Sequence, residues 1–578
     1  MLFFGTPGSP GLKCARLRIR GIALIALLLC LTAASRDAYA LPSNNVPLDD
    51  WSYAALDKLA GFGLIYSDVH GMRPYTRLEV ARLVNEALNS KEEKKLELPP
   101  IIEQMLKRFE REFREELAVY GRGKETEPAA LVLRPVQDAK VAYVYSDGKP
   151  RDFLNTNTVT QYPQGGGNIV AYEGTPLLHN NEGVVYGKGN NVSFQFSSSF
   201  QLWDVFSGYV EPIAIERENA TPGRPTGGTP STVGSLDNSD LYLLKGYVKF
   251  SPFDSLEVEF GRDAMWWGQG YNGTLILTDN AAPLDMLKVS NPTPSILPGF
   301  LGYLGPFRYT LFCAQLETDR DFPNTKYGGS RVDFKPTPNF EIGMSHTFQF
   351  GGTGSLSSGS FLSYLELVSM KKFGGSVNSA ENHEAAFDFR YRMPYLWNAE
   401  FYGEWGGEDT GFTPNNVRRF FLEDIGYILG LYFPKVTADG LTDLRFEYAD
   451  NVNEGPIGSH VNGLWYAHGL YISGMTYNGL ILGDPMGPDA RDFFVRATRY
   501  LTCHIKAGLD FEYSQTGRNV GRSEESIFEG GADLTWELNT AVSAMARYAY
   551  GEVLNLDLVQ GENQTDNLFM LEVKYKFF

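Results

Sequence analysis

The chain has 578 residues, a formal net charge of -18, 13% aromatic residues and 61 glycines. Past residue 40 no run of eighteen apolar residues occurs, which excludes a helical membrane protein, and the acid excess excludes a nucleic-acid partner. A mean hydropathy of -0.23 suits a soluble protein, but equally a membrane barrel, in which lipid-facing and lumen-facing residues alternate and cancel in the average.

Residues 1–40 read as a secretory signal peptide. A basic segment precedes the apolar run 22–29, and Ala38-Tyr39-Ala40 forms an A-x-A cleavage site before Leu41. The segment carries Lys13, Arg16, Arg18, Arg20 and Arg36 against Asp37, so the exported chain is near -22. Cys14 and Cys30 fall inside it. Cys313 and Cys503 remain, far apart in strand-like segments, either as two buried or lipid-facing thiols or as a disulfide, and no metal-ligand spacing occurs.

From Leu48 to Leu88 the pattern predicts two amphipathic helices. Trp51, Ala55, Leu56 and Leu59 form one stripe, Gly61 and Gly63 a stop, and Val80, Leu83, Val84 and Leu88 the next stripe. Thr76 and Glu79 form a capping box, the threonine capping the helix start and the glutamate reaching back. Trp51, Tyr53, residues 63–65 and residues 73–79 together resemble a single S-layer homology motif, a unit that binds cell-wall polymers in other proteins. A small helical subdomain packed on the rest of the chain is the other reading. Residues 101–120 continue as a charged helix with Ile102, Met105, Leu106, Phe109, Phe113 and Leu117 on one stripe and the charges as a solvated face. The helical region spans 41–125.

From 131 to 578 short alternating segments recur. Residues 387–392 place Phe387, Phe389 and Tyr391 on one face and Asp388, Arg390 and Arg392 on the other; segments 192–196, 256–260, 444–448 and 509–513 repeat the design. Alternation alone fits a soluble sandwich or a membrane barrel. The leader, the aromatic content and the ending 569–578 decide for the barrel, since that ending resembles the C-terminal signal read by the outer-membrane barrel assembly machinery, although its apolar set falls on Phe577 and not on Phe578. The expected fold is an all-β transmembrane barrel of ~16 to 20 antiparallel strands, each roughly ten residues long. Residues 216–240, rich in Pro, Gly and Thr, read as a long mobile external loop.

Residues 261–277 concentrate Trp266, Trp267, four glycines and Tyr271 where a strand ends. A tryptophan face stacks on the C–H face of a pyranose, while Arg262, Asp263 and Asn272 offer hydrogen bonds to hydroxyls. Barrel architecture is the bland alternative for the pair of tryptophans. This stretch, continued by residues 280–283, together with residues 401–412 and 479–489 in the same order, resembles the motifs of the Wzi capsule-assembly family of outer-membrane proteins, convincingly from residue 241 onward. The resemblance implies eighteen strands, N-terminal helices at the periplasmic mouth and an outer-membrane lectin that anchors capsular or exopolysaccharide at the surface of a Gram-negative cell. The polysaccharide-binding set that follows is Arg262, Trp266, Trp267, Tyr271, Asn272, Trp405, Glu408, Asp409 and Asp484.

Such a protein needs no catalytic residue, cofactor or metal. The acids of this set demand either a neutral polymer or, if the polymer is anionic, dominant bases such as Arg262 and Lys288 or a bridging divalent cation; a hydrogen-bonded lumen network is the structural alternative. The competing functions are a porin or specific channel, an enzyme using Glu404 with Glu408 as acid and base, and a tether from outer membrane to cell wall. The expected partners are polysaccharide, outer-membrane lipid, the barrel assembly machinery and, for the tether, cell wall.

Overall fold

The computed structural model describes residues 43–577 apart from 123–130, 155–168, 204, 221–224, 227–230, 233–235, 254, 369–380, 409–424, 453–464 and 521–522. The leader, Asp409 and much of the segment 216–240 therefore lie outside the described residues.

Four helices come first: α1 (Trp51–Gly61), α2 (Arg77–Lys94), α3 (Pro100–Glu112) and α4 (Arg114–Ala118). Thr76 caps α2, its hydroxyl accepting from the Glu79 amide at 3.0 Å, but the Glu79 carboxylate turns to Arg82 at 2.8 Å, so only half of the expected capping box forms. The helix expected over 101–120 breaks at Phe113 into α3 and α4. Its stripe residues pack against α1 and α2 in one apolar core. Its charges do more than meet solvent: Arg108 pairs with Glu537, Glu115 with Arg134, and Glu112 with Lys576 at 2.7 Å, which fastens the helices to the barrel rim.

Eighteen described strands follow: β1 (Leu131–Ser146), β2 (Gly189–Leu202), β3 (Phe206–Arg217), β4 (Ser239–Phe253), β5 (Leu256–Asp263), β6 (Leu284–Ser290), β7 (Pro306–Gln315), β8 (Lys326–Thr337), β9 (Phe340–Phe350), β10 (Asn382–Met393), β11 (Ala399–Glu408), β12 (Gly426–Phe433), β13 (Thr442–Asp450), β14 (Ala490–Tyr500), β15 (Ile505–Thr516), β16 (Glu525–Glu537), β17 (Val542–Leu554) and β18 (Asn563–Lys576). Each pairs antiparallel with its neighbours, and β1 pairs with β18 from Asp138↔Lys576 to Ser146↔Leu568, closing the barrel as expected. Closure removes the sheet edges that lipid could not hydrogen-bond.

Alternation sorts the side chains. Phe194, Phe260, Leu287, Phe511 and Leu534 stand exposed on the outer face. On β18 the exposed set is Phe569, Leu571, Val573, Tyr575 and Phe577, the register read from the sequence. Lys249, Glu259, Arg331, Asp388, Arg390 and Glu447 are buried on the inner face. One end of the barrel carries mostly short turns, such as 338–339 and 501–504; the other carries long loops, including 264–283 and the described residues 465–489. The helices sit at the short-turn end, where Lys58 meets Asp443 and Pro434, and Asn398 donates to the Gly61 carbonyl at 2.9 Å. Cys313, on β7, and Cys503, in the turn 501–504, are both free and partly buried.

Two inserts fill the lumen. From the helix side, residues 43–76 enter, and Asp68 pairs with Lys335 at 2.7 Å and Arg392 at 2.8 Å on the wall. Glu341 accepts from the amides of His70 and Gly71, while the Asn45 amide donates to Glu259 and Asp263. From the loop side, residues 264–283 and 465–489 fold inward and zip together. Thr278 donates through its amide to Leu482, Asn280 through its side chain to Ile481, and Tyr466 through its hydroxyl to Leu275. Their side chains build an apolar core inside the barrel around Trp267, Leu275, Ile276, Trp465, Tyr466 and Leu480.

Candidate carbohydrate site in the barrel lumen

The tryptophan pair sits where the two inserts meet. Arg73 and Met72 of the N-terminal segment pair antiparallel with Trp266 and Trp267, and the Gly268 amide donates to the Gly71 carbonyl at 2.9 Å. Gly268 has φ +139°, and a Cβ there would strike the Glu404 carboxylate, so only glycine lets the segment lie this close to the wall. Beyond it, both oxygens of Glu404 accept backbone amides, from Gly270 at 2.8 Å and Leu275 at 3.0 Å, and Glu447 accepts those of Tyr271 at 2.6 Å and Asn272 at 2.7 Å. Two wall carboxylates thus set the course of the loop.

Neighbours in an extended ladder point to opposite sides, and the two indoles do so. Trp267, 1% exposed, meets Phe312 edge-on with ring centroids 5.2 Å apart in the loop-side core. Trp266, 6% exposed, lines a cavity of about 310 Å³ between α1, this loop and the inner face of β12 to β15. Tyr271, Tyr432, Tyr53 and Tyr500 line the same cavity, with Asp279 and the cations Arg73, Arg445, Arg496 and Lys506. Arg445 lies 4.4 Å from the centroid of the Tyr271 ring and 4.1 Å from that of Tyr432. Trp51, Ala54, Tyr500 and Lys506 also line a second cavity of about 480 Å³ among α1, α3 and the turns at 501–504 and 538–540. The two spaces therefore adjoin toward the short-turn end.

The remaining expected residues scatter. Asn272 stays with the loop, its side-chain amide 3.2 Å from Glu512. Asp484 is buried against Gly273 and accepts from the Met486 amide at 3.0 Å; burial, with Glu512 and Glu447 nearby, pushes its carboxyl up to about 7. Burial also holds the Asp279 carboxyl well above the usual carboxylate range. Glu408 is buried at the end of β11, directly across from Glu384. Two residues lie outside the lumen: Arg262 continues the outward set of Phe260 and forms a two-pronged pair with Asp285, at 2.8 and 2.6 Å, and Trp405 stacks on Tyr427, with centroids 5.7 Å apart, on the outer face of β11. Lys288, the other base considered for an anionic polymer, is tied to Glu259 at 2.8 Å.

Glu404 and Glu408 point the same way along one strand, four residues and roughly 13 Å apart. That exceeds the separations at which two carboxylates share a glycosidic bond, and both oxygens of Glu404 already hold the loop. The residues that sequence reasoning did not single out, Arg73, Asp279, Arg445, Arg496, Tyr500 and Lys506, come from five separate segments and share no motif. Only the inward parity of those on strands marks them.

Residues 158–568 match the family model described as capsule assembly protein Wzi. A solved structure from Escherichia coli, titled as Wzi, an outer membrane protein involved in group 1 capsule assembly and a carbohydrate binding beta-barrel, superposes with a TM-score of 0.64 at 17% identity, covering 93% of this chain and all of that one. An uncharacterized 55.8 kDa protein in the cps region of Klebsiella pneumoniae is 30% identical over 233 residues, which span 39% of this chain and 42% of that protein. With the match extending over more than two thirds of its length, the chain belongs to the Wzi capsule assembly family.

Proposed function

We propose that this protein is an outer-membrane lectin that holds capsular or related surface polysaccharide at the cell, with the short-turn end and its helices in the periplasm. The observation that carries the reading is the lumen cavity beside Trp266: an aromatic wall, charged hydrogen-bonding groups at its edge and a rigid frame of strands, in a chain of a capsule-assembly family. Trp266 and Tyr271 are its contact residues, with Asn272 and Asp484 shaping the loop that presents them. Trp267 serves packing, and Arg262 and Trp405 serve the outer surface. The N-terminal segment is bound to the wall from Asn45 to Met72, which supports a plug in place of a wall tether or an open channel.

The test is titration of the purified, detergent-folded protein with the host's own surface polysaccharide. Saturable binding that Trp266→Ala weakens and Trp267→Ala leaves unchanged among folded molecules supports the site. Absence of binding by the folded parent overturns the reading. In cells, deletion of the gene is expected to shift polysaccharide from the cell-bound to the free pool without stopping its synthesis, whereas loss of both pools would assign the protein to synthesis or export.

A further inference from the structure

The charges around the cavity are unevenly satisfied. Arg496 is spent on Asp510 and Asp533, at 2.6 and 2.5 Å, and Arg445 on its two tyrosine rings, with Asp57 at 3.5 Å. Most lining acids are spent as well: Asp443 on Lys58, Asp49 on Lys140 at 3.2 Å, Asp50 on the Ser52 amide at 2.9 Å and Lys576 at 3.9 Å, and Asp57 on Arg445 and on His70 at 3.4 Å. Arg73 and Lys506 differ. Neither has a carboxylate within 4 Å among the described residues, and the Arg73 Nε is buried without a hydrogen-bond partner, its guanidinium resting on the Tyr53 ring. A buried cation left without an anion is costly unless something completes it.

Two more lining groups are buried with unused hydrogen-bonding capacity: the indole N–H of Trp266 and one carboxyl oxygen of Asp279, a residue 8% exposed. The cavity therefore offers an aromatic face, a buried carboxyl oxygen with unused hydrogen-bonding capacity and two cations with no carboxylate within 4 Å among the described residues. Its volume of about 310 Å³ stands at the lower end of the roughly 300 to 1,000 Å³ that holds a small ligand, room for a short saccharide segment. Lys506 also lines the adjoining space toward the helices.

We propose that this cavity takes a carboxylate-bearing sugar residue, a uronic acid within an acidic polysaccharide, with its ring on Trp266 and its carboxylate on Arg73 and Lys506. This rests on the carbohydrate reading above and adds the class of sugar. It also gives an acidic protein a local seat for an acidic polymer, since Arg73 and Lys506 have no carboxylate within 4 Å among the described residues.

The test uses fragments of the host's surface polysaccharide, native and carboxyl-reduced, titrated into the folded full-length protein. Reduction is expected to weaken binding tenfold or more. Lys506→Gln removes a side chain with no hydrogen-bond or ion-pair partner among the described residues and is expected to fold; it is expected to bind native and reduced fragments alike, with Arg73→Gln behaving the same way and Lys506→Arg retaining the preference. If the parent binds both forms equally, the carboxylate assignment falls and the carbohydrate reading stands. If it binds neither, the carbohydrate reading itself falls and takes this one with it. If the parent discriminates and Lys506→Gln still does, the assignment of the carboxylate to these residues is wrong.

Discussion

The two halves of the lumen are filled by opposite means. On the helix side, residues 43–76 are held by charge, through Asp68 with Lys335 and Arg392, Glu341 with backbone amides, and Asn45 with Glu259 and Asp263. On the loop side, residues 264–283 and 465–489 are held largely by an apolar core that includes Trp267, Trp465, Tyr466 and Leu480. A charged plug matches a wall whose inner face is rich in ions, whereas the loops, long enough to pack on each other, supply their own interior. The cavity lies at the seam, where neither scheme is complete.

That contrast can be broken at either side. The largest effects are expected at Asp68 and Trp267. Asp68→Ala leaves Lys335 buried without its carboxylate, and Arg392 with Glu400 alone, and should cost about 3 to 5 kcal/mol. Trp267→Ala leaves a void in the loop-side core and should cost about 3 to 5 kcal/mol as well. Both are read as a lower temperature for conversion of the folded band on SDS gels. The salt and pH responses should differ, the Asp68 loss being electrostatic and the Trp267 loss not; identical responses would erase the distinction.

The halves should also titrate in opposite senses. Burial alone would raise the Asp68 carboxyl, but Arg392 and Lys335 outweigh it and hold it well below the usual range. Its stabilisation is complete above the unfolded value near 3.9 and is lost as pH falls toward the folded one. Asp484, pushed up to about 7, works the other way: the fold binds a proton that the unfolded chain has released, so its contribution declines as pH rises from about 4 to about 7. Asp484→Asn should remove that decline, and Asp68→Asn should remove the acid limb, in urea unfolding followed by tryptophan fluorescence across pH 3 to 8. An unchanged slope between pH 4 and 7 in Asp484→Asn would contradict the Asp484 assignment.

A smaller effect sharpens the seam itself. Trp266→Ala should lower affinity for polysaccharide by about 1 to 3 kcal/mol, by analogy with loss of an aromatic that stacks on a nucleic-acid base, at little cost in folding yield. Smallest of all is Arg262→Ala: its pair with Asp285 is half in solvent, worth about 0.2 to 1 kcal/mol, and binding should not change. A binding defect there would return Arg262 to the site.

How much of this was legible differed with distance along the chain. The alternation at 387–392 gave both the strand and the side on which each residue falls, because a strand's parity is local. The stripe from Ile102 to Leu117 gave the helix face, though the break at Phe113 carried no signal. Trp266 and Trp267 lie on opposite sides of the segment, since neighbours in an extended segment must diverge. Arg262 and Trp405 were read into the site from their motifs, whereas parity counted from Phe260 and Glu404 already sends both outward.

By itself, then, the sequence determined the barrel class, the register of the last strand on Phe577 and the glycine-rich stretch around which the lumen is built, all of them properties of contiguous residues. Only the tertiary structure decided that residues 43–76 enter the lumen and pair with Trp266 and Trp267, that Glu404 and Glu447 hold a loop, and that Arg73 and Lys506, more than four hundred residues apart, share one cavity with no carboxylate within 4 Å of either among the described residues. The physical reason is that closing a barrel brings inward-facing residues of remote strands within reach of each other, and whether a buried charge finds a partner there depends on that closure and not on its neighbours in the chain.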